Sequence, residues 1–258
     1  MNKRVGQLQL IKKTKLNYNN YLLEFKADSI LSDIKPGQFV NIQIDRSPST
    51  FLRRPISIYD VNYQTDTISL VVKIVGAGSE TLTSTEPGSI IDMVYPLGNG
   101  FSQPKAGDKC LLVGGGVGVA PLYLLAKEMN INGIKPFILL GARTAEDHIL
   151  LSEFNKLGEV FLTTNDGSLQ VKGFVTDHEI WSNSLNFNKI YCCGPEPMMK
   201  AVAAKAAKLD IDCEVSLENL MACGFGVCLC CVTKTHDGHK CVCTEGPVFN
   251  IKDLEWQI

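Results

Sequence analysis

Val113-Gly114-Gly115-Gly116-Val117-Gly118-Val119-Ala120-Pro121 decides the fold. The stretch follows an apolar run at 109–113 and opens a second one with Pro in its first turn. That is the order of strand, glycine loop and helix required by a nucleotide-binding α/β unit. Toward the C-terminus the same rhythm continues, with strands at 136–140, 159–163, 189–193 and 213–217. Helical segments fall at 120–129, 145–155, 175–181 and 197–209. The alternation predicts a parallel sheet covered on both faces, with its ligand at the carboxyl edge of the strands. The loop is not a strict G-x-G-x-x-G, and Gly141-Ala142-Arg143-Thr144 puts no acidic residue after the second strand. The standard dinucleotide fingerprint is therefore incomplete.

Toward the N-terminus the period changes to two, over 5–11, 21–26, 38–44, 55–59, 67–75 and 90–95. Six short strands predict an antiparallel barrel or sandwich. Lys35-Pro36-Gly37, Ser47-Pro48-Ser49 and Glu86-Pro87-Gly88 read as turns, because Pro presets φ and Gly admits positive φ. Gly98-Asn99-Gly100 reads as a boundary. Beyond Glu218 about 40 residues show little periodicity and could not bury a core without a metal or cluster. The chain thus divides into a β-barrel domain (1–100), a Rossmann-like α/β domain (101–217) and a small cysteine-rich domain (218–258).

Composition narrows the function. Of 258 residues 45% are hydrophobic and 20% charged, which excludes disorder as the dominant state. The 25 basic residues, balanced by 27 acidic ones, form no run longer than two, which argues against a nucleic-acid partner. The apolar stretch 111–126 is broken by four glycines and Pro121, too short for a membrane span, and residues 1–13 lack the apolar core of a secretory signal. A cytoplasmic protein is expected, and in a reducing compartment clustered thiols bind metal more often than they form disulfides.

Six of the ten cysteines fall between Cys223 and Cys243. Cys223, Cys228 and Cys231 give C-x4-C-x2-C, the plant-type ferredoxin spacing for a [2Fe-2S] cluster. Gly224 and Gly226 let the loop wrap a cluster closely. The fourth ligand comes from Cys241 or Cys243, of which alternation lets only one face inward. Cys243 is preferred because the turn Thr244-Glu245-Gly246-Pro247 follows it. A structural zinc site is the competing reading, since Cys228-x2-Cys231 with Cys241-x-Cys243 also supplies four sulfurs.

Arg53-Arg54-Pro55-Ile56-Ser57 begins a barrel strand, where an Arg can pair with a diphosphate and a Ser hydroxyl can reach a flavin nitrogen; a solvated Arg before an edge-strand Pro is the alternative. Gly76-Ala77-Gly78-Ser79 leads into a helix start whose amides suit phosphate, or simply cap the helix. The nucleotide candidates are Gly114, Gly115, Gly116 and Gly118, with Cys193-Gly194-Pro195 at the end of the fourth strand, where Cys193 is either a ligand-side thiol or core filler. Asp166-Gly167-Ser168 is a ribose contact or a plain turn. His148, His178, His236 and His239 form no triad and read as solvated, and there is no G-x-S-x-G or H-E-x-x-H motif.

With Arg54-Pro55-Ile56-Ser57, the 114–121 loop, Cys193-Gly194-Pro195 and Cys223-x4-Cys228-x2-Cys231 in this order, the chain resembles the ferredoxin-NADP reductase superfamily over nearly its whole length. Ser216-Leu217-Glu218, Met221-Ala222-Cys223-Gly224 and Cys243-Thr244-Glu245-Gly246-Pro247-Val248-Phe249 are similar to the electron-transfer subunits of NAD-dependent (type B) dihydroorotate dehydrogenases. The resemblance implies that Arg54, Pro55, Ile56, Ser57, Val71, Val72, Lys73, Gly78 and Ser79 contact FAD, and that Cys223, Cys228, Cys231 and Cys243 hold the cluster. It also implies a partner subunit containing FMN, in a heterotetramer of two plus two, that oxidises dihydroorotate for pyrimidine (UMP) biosynthesis. A nicotinamide takes a hydride and a cluster carries single electrons, so a flavin between them is required. Ser57 and Cys193 are the expected positioning residues at the flavin and the nicotinamide. Subunits of sulfite reductases or bifurcating NAD(P)H:ferredoxin-type reductases, and a stand-alone NADH:acceptor reductase, share the same order of parts.

Overall fold

The period-two half closes on itself in the computed structural model, which describes residues 3–44, 51–182 and 185–256. β1 (Arg4–Lys15), β2 (Asn20–Lys26), β3 (Phe39–Ile42), β4 (Arg54–Asn62), β5 (Thr67–Lys73) and β6 (Ile90–Leu97) form an antiparallel barrel in the order β1-β2-β5-β4-β3-β6. Of the barrel and the sandwich, the barrel forms because β1 pairs with both β2 and β6, and β6 also pairs with β3, leaving no edge. Alternate residues fill the interior, among them Leu8, Leu10, Leu23, Phe25, Ile58 and Leu70, all fully buried. α1 (Ala77–Ser84) connects β5 to β6. The turn at Ser47-Pro48-Ser49 lies outside the described residues.

The second half is the doubly covered sheet. β7 (Cys110–Gly115), α2 (Ala120–Ile131), β8 (Phe137–Ala142), α3 (Leu151–Asn155), β9 (Glu159–Thr164), β10 (Val171–Lys172), β11 (Lys189–Cys193), α4 (Glu196–Lys208) and β12 (Asp212–Ser216) follow in turn. The strands lie in the order β10-β9-β8-β7-β11-β12, all parallel. Two expected helices are shorter than the pattern suggests. Residues 145–155 split into a 3-10 turn and α3, because Leu150 adopts a left-handed φ of 62° that no helix continues through. Residues 175–181 form two separate 3-10 turns.

The cysteine-rich tail is more ordered than its lack of periodicity suggests. β13 (Val232–Thr235) and β14 (Gly238–Cys241) make a hairpin, and β15 (Val248–Asn250) pairs antiparallel with β12 as the seventh strand of the sheet. Three residues are too few to show a period, so only β12's free edge identifies this strand. The boundary segment is tied to the tail as well: the Asn99 amide donates to Gly246 O at 2.6 Å and its side chain to Glu245 O at 3.0 Å. No described helix is long and apolar enough to cross a membrane.

At the amino end of the sheet, Lys189 Nζ lies 2.5 Å from Asp212 and 2.9 Å from Glu214. Burial alone would lower the Lys189 pKa, but the hydrogen bonds it donates to the two carboxylates raise it. Asp212 is lowered, its burial outweighed by Lys189 and Asn250. The contribution of Asp212 is therefore present above its unfolded pKa near ~3.9 and fades as pH falls through the lower folded value. That of Lys189 is present below ~10.4 and fades as pH rises through the higher folded value. Lys189→Met should cost roughly 2–3 kcal/mol at pH 7 in urea unfolding, with the deficit shrinking in acid as Asp212 protonates.

Candidate functional site

Gly224 and Gly226 take φ of +77° and +80°, which a side chain would strain, and so turn the loop around its own cysteines. Three backbone amides point at sulfur: Phe225 N to Cys223 Sγ (3.3 Å), Gly226 N to Cys243 Sγ (3.2 Å) and Cys243 N to Cys231 Sγ (3.4 Å). Cys243 is thus the thiol wrapped by the loop, whereas the Cys241 amide is directed to Glu245 Oε2 at 2.8 Å. Burial opposes ionisation at Cys223, yet amides of Phe225, Cys228 and Val227 and the Cys228 thiol hold it down to about 6. Burial, reinforced by Cys231, pushes Cys243 up to about 12. Among the described residues no three His, Cys, Asp or Glu groups converge on one metal ion. Soft sulfur donors with amides aimed at them suit a cluster, whose thiolates are spread over two irons and need not meet at a point.

This loop docks on the barrel against β3 and β6, where a Cβ on Gly224 would also lie 3.1 Å from Leu97 Cδ1. Asn41 of β3 donates from Nδ2 to Ala222 O at 3.2 Å, and a Cβ on Gly224 would lie 3.1 Å from Asn41 Nδ2. In the ladder Asn41 stands opposite Pro55, and Phe39 opposite Ser57. The cysteine loop and the Arg54–Ser57 stretch therefore meet β3 at a common residue, Asn41.

Of the two adjacent arginines, Arg53 is fixed within the barrel by its ion pair with Asp92 and by Asn41 O. Arg54 lies over the first turn of α1, where a Cβ on Gly78 would come within 3.0 Å of its Nε. Ser79 spends its hydroxyl on the turn, accepting from the amides of Val75 and Gly76 and donating to Gly76 O. A guanidinium beside free helix amides suits a diphosphate. The β4–β5 pairing ends at Ile58 opposite Leu70, so residues 54–57 and 71–73 face one another outside the ladder. Val71 packs toward the nucleotide sheet and Val72 into the barrel, which leaves the Val72 backbone, not its side chain, for a cofactor. Ser57 is half-buried.

A cleft of about 490 Å³ opens at the carboxyl ends of β7, β8, β9 and β11. Gly115, Gly116, Val117, Pro195 and Met198 line it from the sheet side, Asn20 and Lys73 from the barrel. The other glycines act by close approach. A Cβ on Gly118 would stand 2.6 Å from Gly194 Cα, and one on Gly114 2.9 Å from Val119 Cγ1. Cys193 itself is buried; burial, with the Glu218 charge, raises its pKa well above the usual thiol value despite a hydrogen bond with Ser216. A thiol so placed packs and positions; it does not ionise. Glu218 keeps surface open to solvent, but crowding by protein raises its carboxyl pKa while Lys73 pulls it down.

Arg143 is not free for a ligand phosphate: Nε lies 3.2 Å from Asp147 and Nη2 2.8 Å from Tyr18 Oη. Asp166 accepts from Ser168 N (3.0 Å) and Oγ (2.6 Å), so 166–168 is a turn. Two histidines depart from the solvated reading. His178 is buried edge-on to Phe161, its Nδ1 accepting from Ile180 N, and His148 Nε2 lies 3.2 Å from Thr163 O. Neither has a local signal, since what buries them is sheet packing. Asn20 and Asn41 are likewise absent from the sequence reading, because what gives each its place is a contact of its own turn or strand with a distant part of the chain.

Three family models match in chain order: an oxidoreductase FAD-binding domain (residues 7–101), an oxidoreductase NAD-binding domain (112–204) and the iron-sulfur cluster binding domain of dihydroorotate dehydrogenase B (218–255). The chain is 36% identical over 260 residues to the dihydroorotate dehydrogenase B (NAD(+)) electron transfer subunit of Shouchella clausii (strain KSM-K16), covering 98% of this chain and 99% of that protein. It is 40% identical over 244 residues to the subunit of the same name from Fusobacterium nucleatum subsp. nucleatum, covering 92% and 93%. Among solved structures it is similar to one of an NADH-dependent reduced ferredoxin-NADP oxidoreductase studied for flavin-based electron bifurcation, with a TM-score of 0.86 and 31% identity over 96% of this chain and 90% of that one.

Proposed function

The chain belongs to the family of dihydroorotate dehydrogenase B electron transfer subunits, and from that premise we propose that it relays electrons to NAD from a catalytic partner subunit that oxidises dihydroorotate in cytoplasmic pyrimidine synthesis. The partner holds FMN, and two copies of each subunit assemble. A cluster passes electrons singly, FAD accepts them singly and gives up a pair, and NAD takes a hydride.

The observation that carries this reading is the sharing of β3. Asn41 donates from its side chain to the cysteine loop and stands opposite Pro55 in the β3–β4 ladder, so a group bound by Cys223, Cys228, Cys231 and Cys243 and one bound by residues 54–57 are neighbours. Arg54 and the first turn of α1 bind the flavin diphosphate, and Ser57, beside buried Phe39, orients the ring. On the far side, the 115–117 loop and Pro195 bind the nicotinamide nucleotide, with Cys193 filling space behind it.

The partner docks beside the cysteine loop. Leu220 and Val227 are 86% and 81% exposed, with Leu229 and Phe225 close by in sequence, and apolar side chains so placed mark an interface. Val227→Asp or Leu220→Asp should abolish co-purification with the FMN subunit while leaving the visible cluster spectrum intact. Full co-purification of both variants would place the interface elsewhere.

Reconstitution tests the assignment. Chain plus partner should form orotate from dihydroorotate with NAD as acceptor, and the chain alone should oxidise NADH with a dye but form no orotate. The likeness to the bifurcating oxidoreductase supports a second reading, in which the partner handles ferredoxin. A native complex that reduces ferredoxin and forms no orotate would establish it.

A further inference from the structure

Two buried polar atoms lining the nucleotide cleft have no hydrogen-bond partner among the described residues: Asn20 Oδ1 and Thr163 Oγ1. Asn20 is 5% exposed and Thr163 fully buried. Buried polar atoms are nearly always paired, so each of these needs an account.

The orientation of Asn20 follows from its neighbours. Asn17 Oδ1 accepts from the backbone amides of Asn19 (3.1 Å) and Asn20 (3.0 Å), which identifies that atom as oxygen. The Asn20 atom facing it at 2.9 Å must then be the amide nitrogen, which also donates to Asn19 Oδ1 at 2.8 Å. Both amide hydrogens are in use, and Oδ1 is left as a pure acceptor. Asn20 stands opposite Lys73 in the β2–β5 ladder, so both side chains project from the same face, and both line the cleft. The 17–20 turn is fastened across the domain boundary: Asn17 Nδ2 donates to Glu146 O at 3.0 Å, and Tyr18 Oη to Asp147 at 2.7 Å. The acceptor is therefore held on the wall of the cleft beside the segment that follows β8.

Thr163 approaches the same end from the sheet. It pairs with Gly141 in the β8–β9 register, and a Cβ on Gly141 would lie 3.3 Å from Thr163 Oγ1. Val175 Cγ1 would lie 2.6 Å from the same Cβ, so the hydroxyl is buried beneath Val175 where both residues line the cleft. A dinucleotide with its diphosphate on the 115–117 loop and its nicotinamide toward Cys193 extends its adenosine to this end. Ribose hydroxyls supply the donors that Asn20 Oδ1 lacks and can either donate to or accept from Thr163.

We propose that Asn20 and Thr163 hydrogen-bond the adenosine ribose of the bound dinucleotide, so that the barrel as well as the nucleotide sheet reads that sugar. The inference rests on the reading that NAD occupies this cleft. Lys73, Arg143 and Asp147 are the charged groups facing the site, and Arg143 is engaged by Asp147 and Tyr18.

The test compares NADH with reduced nicotinamide mononucleotide, which lacks the adenosine, on the FAD- and cluster-loaded complex with its partner. The ratio of kcat/KM for NADH to that for the mononucleotide should fall roughly tenfold in Asn20→Ala and in Thr163→Val, as for a lost hydrogen bond that strands a buried group. An unchanged ratio in either variant overturns the assignment of that residue, and so does an equal loss toward both substrates. Loss of FAD from Asn20→Ala would assign Asn20 to the flavin and overturn its place here. Failure of the wild-type complex to oxidise NADH at all would instead overturn the reading on which the inference rests.

Discussion

Cys243→Ser will strip the cluster from the purified chain, whereas Cys241→Ser will retain it. The two thiols are separated by one residue, and the difference lies in what surrounds them. Cys243 Sγ accepts from Gly226 in the opposite arm of the loop, and its own amide reaches Cys231 Sγ. Cys241 ends β14 opposite Val232, with its amide turned to Glu245. Replacing one thiolate with a hydroxyl removes a soft ligand that iron requires. Iron should drop from about two per chain to near zero in Cys243→Ser, with loss of the reduced-state EPR signal. Full iron content in Cys243→Ser together with loss in Cys241→Ser would reverse the assignment. The tail buries Cys231, Val242 and Cys243 against the sheet, so loss of the cluster should also lower the melting temperature.

Gly118→Ala should separate nucleotide binding from flavin binding. Its Cβ would stand 2.6 Å from Gly194 Cα, 2.7 Å from Gly194 N and 2.8 Å from Cys193 C, all backbone atoms, so no rotamer change relieves the contact. Either the glycine loop or the β11 end must retreat, at a cost of about 1–3 kcal/mol. For a chain of this size that is a fall of roughly 2–12 °C in Tm. Because the two displaced segments carry Gly115 to Val117 and Pro195, which line the sheet side of the cleft, KM for NADH should rise at least tenfold. FAD content should stay at the wild-type level, since Arg54, Gly78 and their strands lie in the barrel. An unchanged KM would show that the close approach of these loops serves packing alone.

How much of this could be read in advance depends on the range of the interaction. Barrel strands and β-α units announce themselves through local period, because side chains alternate faces every second residue in a strand and every few residues in a helix. The C-x4-C-x2-C loop is legible for the same reason: its ligands and the glycines that bend it lie within nine residues, Cys223 to Cys231. β15 could not be read, being three residues long and defined only by the free edge of β12. The two helices that shortened to turns failed at Leu150 and His178, where backbone geometry overrode an adequate apolar pattern. The adjacent Arg53 and Arg54 look interchangeable as text, and only the position of Asp92 on β6 commits one to the barrel and leaves the other over α1.

The chain's order of residues alone determined the three-part plan, the sulfur ligand loop, the glycine loop and the strand that meets the flavin, since each is encoded by neighbours within a few positions. Tertiary structure decided which of Cys241 and Cys243 the cysteine loop wraps, which arginine is committed to the barrel, and that Asn41 joins the cysteine loop to the strand opposite residues 54–57. It also decided that the 17–20 turn of the barrel reaches into the cleft of the other domain. Those are contacts between segments from 12 to 181 positions apart. Their partners are chosen by how the barrel, sheet and tail pack together, and no local pattern carries that information.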